Sequence, residues 1–217
     1  MTGHAHPTHE LPYLPAMGRR WLLPLYDPFT RLFGVGRLHE QLLDRAEIQP
    51  GQAILEIGCG TGNLLLALAR RRLDLSLIGI DPDPDALRRA RRKAGRARLP
   101  VRFERGYAGA LPLPDASVDR VLSSLMLHHL DEEEKTRAMA EIRRVLRPGG
   151  QLHIVDLAGS PDDRGLHARL ARRNPRRAGD LPDQLLSRLR DAGLTDVGEN
   201  GRGDSHFGGY VFYRAQC

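Results

Sequence analysis

Residues 53–62 read Ala-Ile-Leu-Glu-Ile-Gly-Cys-Gly-Thr-Gly, a short apolar run that ends in an acid and then breaks into three glycines. An apolar run of that length, closed by glycine, reads as a buried strand. Gly58, Gly60 and Gly62 fit a tight turn that a ligand approaches closely, because glycine takes φ > 0 freely and carries no Cβ. Leu64, Leu65, Leu68 and Ala69 follow at helical spacing, so the turn lies at a helix N-terminus, where a nucleotide-like ligand is the expected occupant.

The spacing narrows the ligand. A dinucleotide fingerprint places glycines at G-x-G-x-x-G, whereas this loop runs G-x-G-x-G and has Asn63 at the third place. A second apolar run, Leu75-Ser76-Leu77-Ile78-Gly79-Ile80, ends in Asp81, an acid positioned to hydrogen-bond a ribose diol. Both facts suit an adenosine cofactor without an obligatory pyrophosphate.

These residues resemble the class I S-adenosylmethionine-dependent methyltransferases, of the small-molecule type related to the ubiquinone and menaquinone C-methyltransferases. Glu56 to Gly62 matches that family's first motif and Gly79-Ile80-Asp81 its second-strand acid. Leu111 to Asp119 resembles the entry to its fourth strand, and Met126-Leu127-His128-His129-Leu130 and Glu141 to Gly150 match the next two segments in order. The resemblance extends over about residues 22–214, and its specificity lies in that order. It implies an α/β fold: a doubly wound, mostly parallel seven-stranded sheet, the Rossmann-like methyltransferase fold, with a short N-terminal helical cover.

The resemblance also implies a cofactor, S-adenosylmethionine, and the residues that hold it. Gly58, Gly60 and Gly62 would admit its methionyl and ribose parts, Glu56 would support the loop and the cationic amino end, and Asp81 would bind the ribose hydroxyls. Pro82, Ser124 and Leu125 would flank adenine or ribose, and Tyr26 lies where related proteins have a tyrosine in the cover. One departure stands out: the segment after the third strand usually reads Gly-Asp-Ala, and here it is Gly106-Tyr107-Ala108. Tyr107 would stack on or hydrogen-bond adenine in place of the acid, with the Ala108 N–H still free to serve the ring.

Proton-transfer candidates follow the fourth strand. His129 and His128 lie at the edge where an open parallel sheet binds ligands, and histidine titrates near neutrality. Packing at a helix start is the competing role for both. Asp156 and His206, near the ends of later strands, are further candidates.

The rest of the chain alternates strands and helices. Strands are expected near 53–57, 76–81, 101–104, 118–124 and 151–156, with helices near 63–72, 83–95 and 132–147, which requires a parallel sheet covered on both faces. Pro148-Gly149-Gly150 reads as the turn into the last of these strands. A further helix is expected from about Pro182 to Ala192, and the tail reads as two strands that the resemblance makes antiparallel. Residues 1–18 read as a flexible tail and 19–217 as one methyltransferase domain, with 19–50 its cover and 158–192 a segment on the substrate side. Leu38, Leu42, Leu43 and Ala46 form a helical stripe explained by packing on the domain.

The net charge of +6 raises the question of nucleic acid, since residues 88–98 are crowded with arginine. On a helix from Asp83, Leu87, Ala90 and Ala94 share one face and the arginines take the others, as on a solvated helix beside a sheet; nucleic acid or an anionic membrane surface are the alternatives. Base methylation is disfavoured, because the fourth strand runs into Ser124-Leu125-Met126-Leu127 and lacks the Asn/Asp-Pro-Pro-aromatic motif that grips a flipped base. No apolar run reaches the length of a membrane span and the N-terminus lacks a signal-peptide plan, so a cytoplasmic location is expected. Cys59 and Cys217 form no metal-ligand pattern, and no metal site is expected.

Taken together, the sequence predicts transfer of a methyl group to O, N or C of a small, apolar or aromatic acceptor. The alternatives are a nucleic-acid-modifying enzyme and a non-catalytic adenosine-cofactor scaffold. A nicotinamide-dependent oxidoreductase is argued against by Asn63. The sequence leaves the acceptor and the oligomeric state open.

Overall fold

The computed structural model describes residues 34–71, 73–158, 182–205 and 208–217. Tyr26, the other N-terminal aromatics and His206 therefore lie outside the described residues, as does most of the expected substrate-side segment.

Seven strands form one sheet in the order β3-β2-β1-β4-β5-β7-β6. In chain order the elements are α1 (Val35–Arg45), β1 (Ala53–Ile57), α2 (Asn63–Arg70), β2 (Ser76–Asp81), α3 (Pro84–Ala97), β3 (Val101–Arg105) and β4 (Val118–Ser124). A short 3-10 turn (Leu127–His129) leads to α4 (Glu132–Val145), β5 (Leu146–Leu157), α5 (Pro182–Asp191), β6 (Thr195–Ser205) and β7 (Gly208–Gln216). β1 to β5 are parallel, as expected of strands joined through helices. Of the two tail strands only β7 runs against the sheet: it is antiparallel to both β5 and β6, so β6 points the same way as β5.

The period of two along each strand divides the core into two layers. Leu55, Ile57, Val121 and Ile154 face α4 and α5 through Met139, Ile142, Leu185 and Leu189. Ile54, Leu122 and Val155 face α1, α2 and α3 through Leu42, Leu43, Leu64, Leu68, Leu87 and Ala90. The α1 stripe is buried, with Leu42 and Leu43 each 1% exposed. Residues 35–46, the last part of the expected cover, are thus a fixed wall of the core, because α1 lays its apolar face on the sheet.

Helix boundaries follow local chemistry. α3 starts where the Asp83 carboxylate accepts from the N–H groups of Asp85 (2.8 Å) and Ala86 (3.3 Å), with Pro84 in the first turn, where its missing N–H costs nothing. α4 starts with a capping box: Asp131 accepts from the Glu134 N–H at 2.9 Å and Glu134 accepts from the Asp131 N–H at 3.1 Å. α2 stops at Arg70, two residues short of expectation.

The Pro148-Gly149-Gly150 turn is present, but it sits inside a longer β5. Between Leu146 and Gln151 the strand advances five residues while its partner advances only from Val118 to Arg120, so the turn is stored as a bulge. The C-terminus holds it there: Gly149 N–H donates to the Cys217 carbonyl at 2.8 Å, and Cys217 N–H donates to the Gly150 carbonyl at 2.9 Å.

Candidate functional site

The strand order reverses direction between β1 and β4, and at such a switch point the loops leaving neighbouring strands part to leave a crevice at their carboxyl ends. The loop after β1 carries the three glycines and the loop after β4 carries Leu125 to His129, so the sequence motifs meet there.

The glycines do different jobs. A Cβ on Gly58 (φ +72) would lie 2.2 Å from Met126 Cγ, so its hydrogen is what lets the two loops pack together. A Cβ on Gly62 (φ +78) would lie 2.7 Å from Phe103 Cζ. Those two positions are filled by protein. Gly60 (φ +51) differs, for a Cβ there would meet nothing within 4 Å among the described residues, and its N–H is held by Asp81 Oδ2 at 2.8 Å. Of the three expected cradle glycines, Gly60 alone borders space left open by the described residues.

Asp81 organises this edge. Its other oxygen accepts from the Asp83 N–H at 2.8 Å, so one carboxylate joins the glycine loop to the cap of α3. Its own carbonyl accepts from the Gly106 N–H at 3.2 Å, which brings the Tyr107 to Ala110 turn beside the tip of β2. Pro82 stands at the same place, its carbonyl accepting from Arg105 Nε at 3.3 Å. Asp81, Pro82, Gly106 and Tyr107 are therefore neighbours, while Ala108 packs against the core.

Burial pushes the Asp81 carboxyl up to about 6, against the pull of the Asp83 and Gly60 N–H groups. Glu56 lies deeper, 3% exposed, and burial and then the Asp81 charge hold its carboxyl well above the ordinary range. The Leu65 N–H and the Lys93 ammonium pull the other way, and Oε2 has no hydrogen-bond partner among the described residues. Glu56 thus lies beneath the loop and accepts from the start of α2. Its expected contact with a cationic ligand end would require it to ionise.

Three contributors were not legible in the motifs. Lys93 of α3 reaches the loop from the side, donating to Thr61 Oγ1 at 3.1 Å and Asn63 Oδ1 at 2.7 Å. Met126 and Phe103 are the side chains against which Gly58 and Gly62 are fitted. Lys93 falls at the border of the α3 apolar face, a position that only the folded packing reveals. Cys59 is buried, and that burial raises its thiol well above the usual value, which leaves it unreactive.

At the end of β4, Leu125 takes a left-handed conformation (φ +53), unusual for a branched side chain, while its N–H donates to the Val155 carbonyl at 2.8 Å. The Ser124 hydroxyl beside it is buried with no partner among the described residues. Beyond them His128 Nδ1 lies 2.6 Å from Asp156 Oδ1, and the His128 N–H donates to Oδ2 at 3.2 Å. Burial would raise the Asp156 carboxyl, but the charge and hydrogen bond of His128 outweigh it and hold the group below its ordinary value. Both histidines are candidates in the sequence; the structure brings the buried carboxylate to His128 and sets the His129 ring tilted beside it, centroids 4.1 Å apart. An open depression of about 640 Å³ lies elsewhere, at the starts of β2 and β3 near Ser76, Val101 and Arg102, away from every one of these residues.

Residues 54–150 match the family model described as a methyltransferase domain. The chain is similar to a demethylmenaquinone methyltransferase of Thermus thermophilus, 36% identical over 143 residues, which are 64% of this chain and 64% of the relative. It is also similar to a 27-O-demethylrifamycin SV methyltransferase of Amycolatopsis mediterranei, 33% identical over 164 residues, 73% of this chain and 59% of the relative. It thus spans less than two thirds of the length of these two relatives. A solved S-adenosylmethionine-dependent methyltransferase from Aquifex aeolicus shares the fold, with TM-score 0.67 at 23% identity over 86% of this chain and 91% of that one. In its fold, its glycine loop and these relatives, the chain is similar to the class I S-adenosylmethionine-dependent methyltransferases, the quinone methyltransferases among them.

Proposed function

We propose that this protein binds S-adenosylmethionine and transfers its methyl group to O, N or C of a small, apolar or aromatic acceptor. The observation that carries this reading is the pairing of Gly60 with Asp81. A glycine at positive φ borders open space, and the carboxylate that holds its N–H still has lone pairs for a ribose diol. The residues therefore fit the cofactor. When bound, it supplies a methyl group activated by a sulfonium.

In this reading Asp81 accepts from the ribose hydroxyls and Gly60 admits the ligand to the loop. Glu56, Gly58 and Gly62 hold the loop in shape, while Pro82, Tyr107, Ser124 and Leu125 border the adenosine. Methyl transfer is an in-line displacement, so the protein's main contributions are alignment and exclusion of water. The expected organisation is part of the proposal: a tail over residues 1–18, a cover from 19 that includes Tyr26, and a substrate-side segment over 158–192. The named relatives act on a menaquinone precursor and on a rifamycin, which favours a ring-bearing, largely apolar acceptor.

The His128–Asp156 pair suits removal of a proton from such an acceptor. Asp156, ionised and bound to Nδ1, fixes the tautomer of the neutral imidazole, which leaves Nε2 to accept, and stabilises the imidazolium that forms when it does. Asp156→Asn is expected to lower turnover with a hydroxylated acceptor on the order of 100-fold or more and to alter the acidic limb of the pH-rate profile, with cofactor affinity retained. Equal loss of cofactor affinity and turnover would make the pair a support of the loop.

The raised Asp81 carboxyl gives a pH signature with two opposite signs. Its folded value exceeds the ordinary carboxylate value, so its contribution to the stability of the empty protein is present below about pH 4 and is lost as pH rises through about 6. The cofactor needs the ionised form, so affinity should rise about tenfold from about pH 5 to pH 7. Calorimetry at those two pH values checks this, and Asp81→Asn should flatten the dependence.

Transfer itself is tested by incubating the protein with methyl-labelled S-adenosylmethionine and a panel of hydroquinones and phenols. Label should appear in a ring-bearing acceptor. Label confined to nucleic acid added in the same mixture would overturn the acceptor class.

A further inference from the structure

The two long helices flanking the sheet treat their charges differently. On α4 three of the four cations are matched by acids, Arg137 with Glu133 at 2.6 Å, Arg144 with Glu141 at 2.7 Å and Lys135 with Glu132 at 3.2 Å, and the fourth, Arg143, donates to the Gly193 carbonyl at 3.4 Å. α3 carries six basic residues and a single acid, Asp85, inside its span. Ala86, Leu87, Ala90 and Ala94 are buried, which turns Arg88, Arg92 and Arg96 to solvent as one ridge at i, i+4 and i+8, flanked by Arg89.

Only Arg88 has a carboxylate, that of Asp85; Arg89, Arg92, Arg96 and Arg98 form no ion pair among the described residues. Like charges stacked at i, i+4 destabilise a helix, so the ridge is a local cost with no intramolecular compensation in view. Arg98 prolongs it from a left-handed C-cap (φ +52). The ridge also begins close to the site, since α3 starts directly after Asp81, Pro82 and its cap Asp83.

We propose that the arginine ridge of α3 docks the protein on an anionic lipid bilayer, with headgroup phosphates in the place of the absent carboxylates. The attachment is peripheral, for no helix among the described residues is long and apolar enough to cross a membrane. A surface of this kind draws on several basic side chains at once, each adding to the attraction. Lipid is favoured over nucleic acid because the ridge offers no aromatic to stack on bases and no Asn or Gln to read their edges. An apolar acceptor, which partitions into bilayers, points the same way. In that choice alone the proposal rests on the acceptor reading given above.

Vesicle flotation tests it on the full chain. The protein should bind phosphatidylcholine vesicles that contain phosphatidylglycerol and not phosphatidylcholine alone, and raising the salt to about 0.5 M should release it. The double variant Arg92→Gln, Arg96→Gln should bind anionic vesicles about 30-fold more weakly. Its S-adenosylhomocysteine affinity should equal that of the wild type, because neither side chain reaches the loop. Binding that ignores lipid charge, or that survives the double substitution, would overturn the proposal. Tighter binding to duplex DNA than to vesicles at equal phosphate would overturn the choice of lipid. Docking without S-adenosylhomocysteine affinity would strike the cofactor reading and leave the ridge standing.

Discussion

Gly58→Ala is expected to destabilise the fold by about 2–4 kcal/mol, the sum of a non-glycine residue held at positive φ and an overpacked contact. The Cβ would sit 2.2 Å from Met126 Cγ and 2.9 Å from Met126 Cβ. The second of these atoms is anchored to the backbone, so the side chain cannot swing clear. The loop after β4 must move, and with it Leu125 and the turn that carries His128. A thermal melt should register a drop of roughly 5–15 °C for a chain of this size. A melt within a degree or two of wild type would mean that the two loops are not packed as described.

Gly60→Val should do the reverse. The described residues leave the space around the position open, so the stability loss is limited to the strain of a branched residue at φ +51, about 1–2 kcal/mol. The valine would instead occupy the space left for the ligand, and cofactor affinity should fall by more than about 100-fold, a contact loss and a steric clash together. Binding by calorimetry and melting by circular dichroism on the same sample separate the two effects. A folded Gly60→Val variant that binds as well as wild type would show that this glycine serves only the turn.

Local rules explain how much of the fold was legible. The apolar run of β1, the acid at the tip of β2, the start of α3 at Asp83 and the 3.6-residue stripe of α1 are each written within a few neighbouring residues, and each stands where it was expected. What was not legible depends on pairs far apart in the chain. The Pro148 to Gly150 turn is absorbed into β5 because Cys217 returns to bond both of its glycines. Gly58 and Gly62 look like Gly60 in the sequence, and only Met126 and Phe103 show that they are filled by protein. That His128 and not His129 meets Asp156 depends on a residue of another strand. Lys93 reads as one of many basic residues until α3 swings it onto Thr61 and Asn63.

In the proposed reading the Gly60–Asp81 edge cradles an adenosine cofactor of the sulfonium type. Titration of the full chain with S-adenosylhomocysteine, beside a parallel titration with NAD, tests it most directly. Saturable binding of one S-adenosylhomocysteine per chain is expected, with NAD bound far more weakly or not at all. No heat from S-adenosylhomocysteine in the folded protein, or tighter binding of NAD, would contradict it.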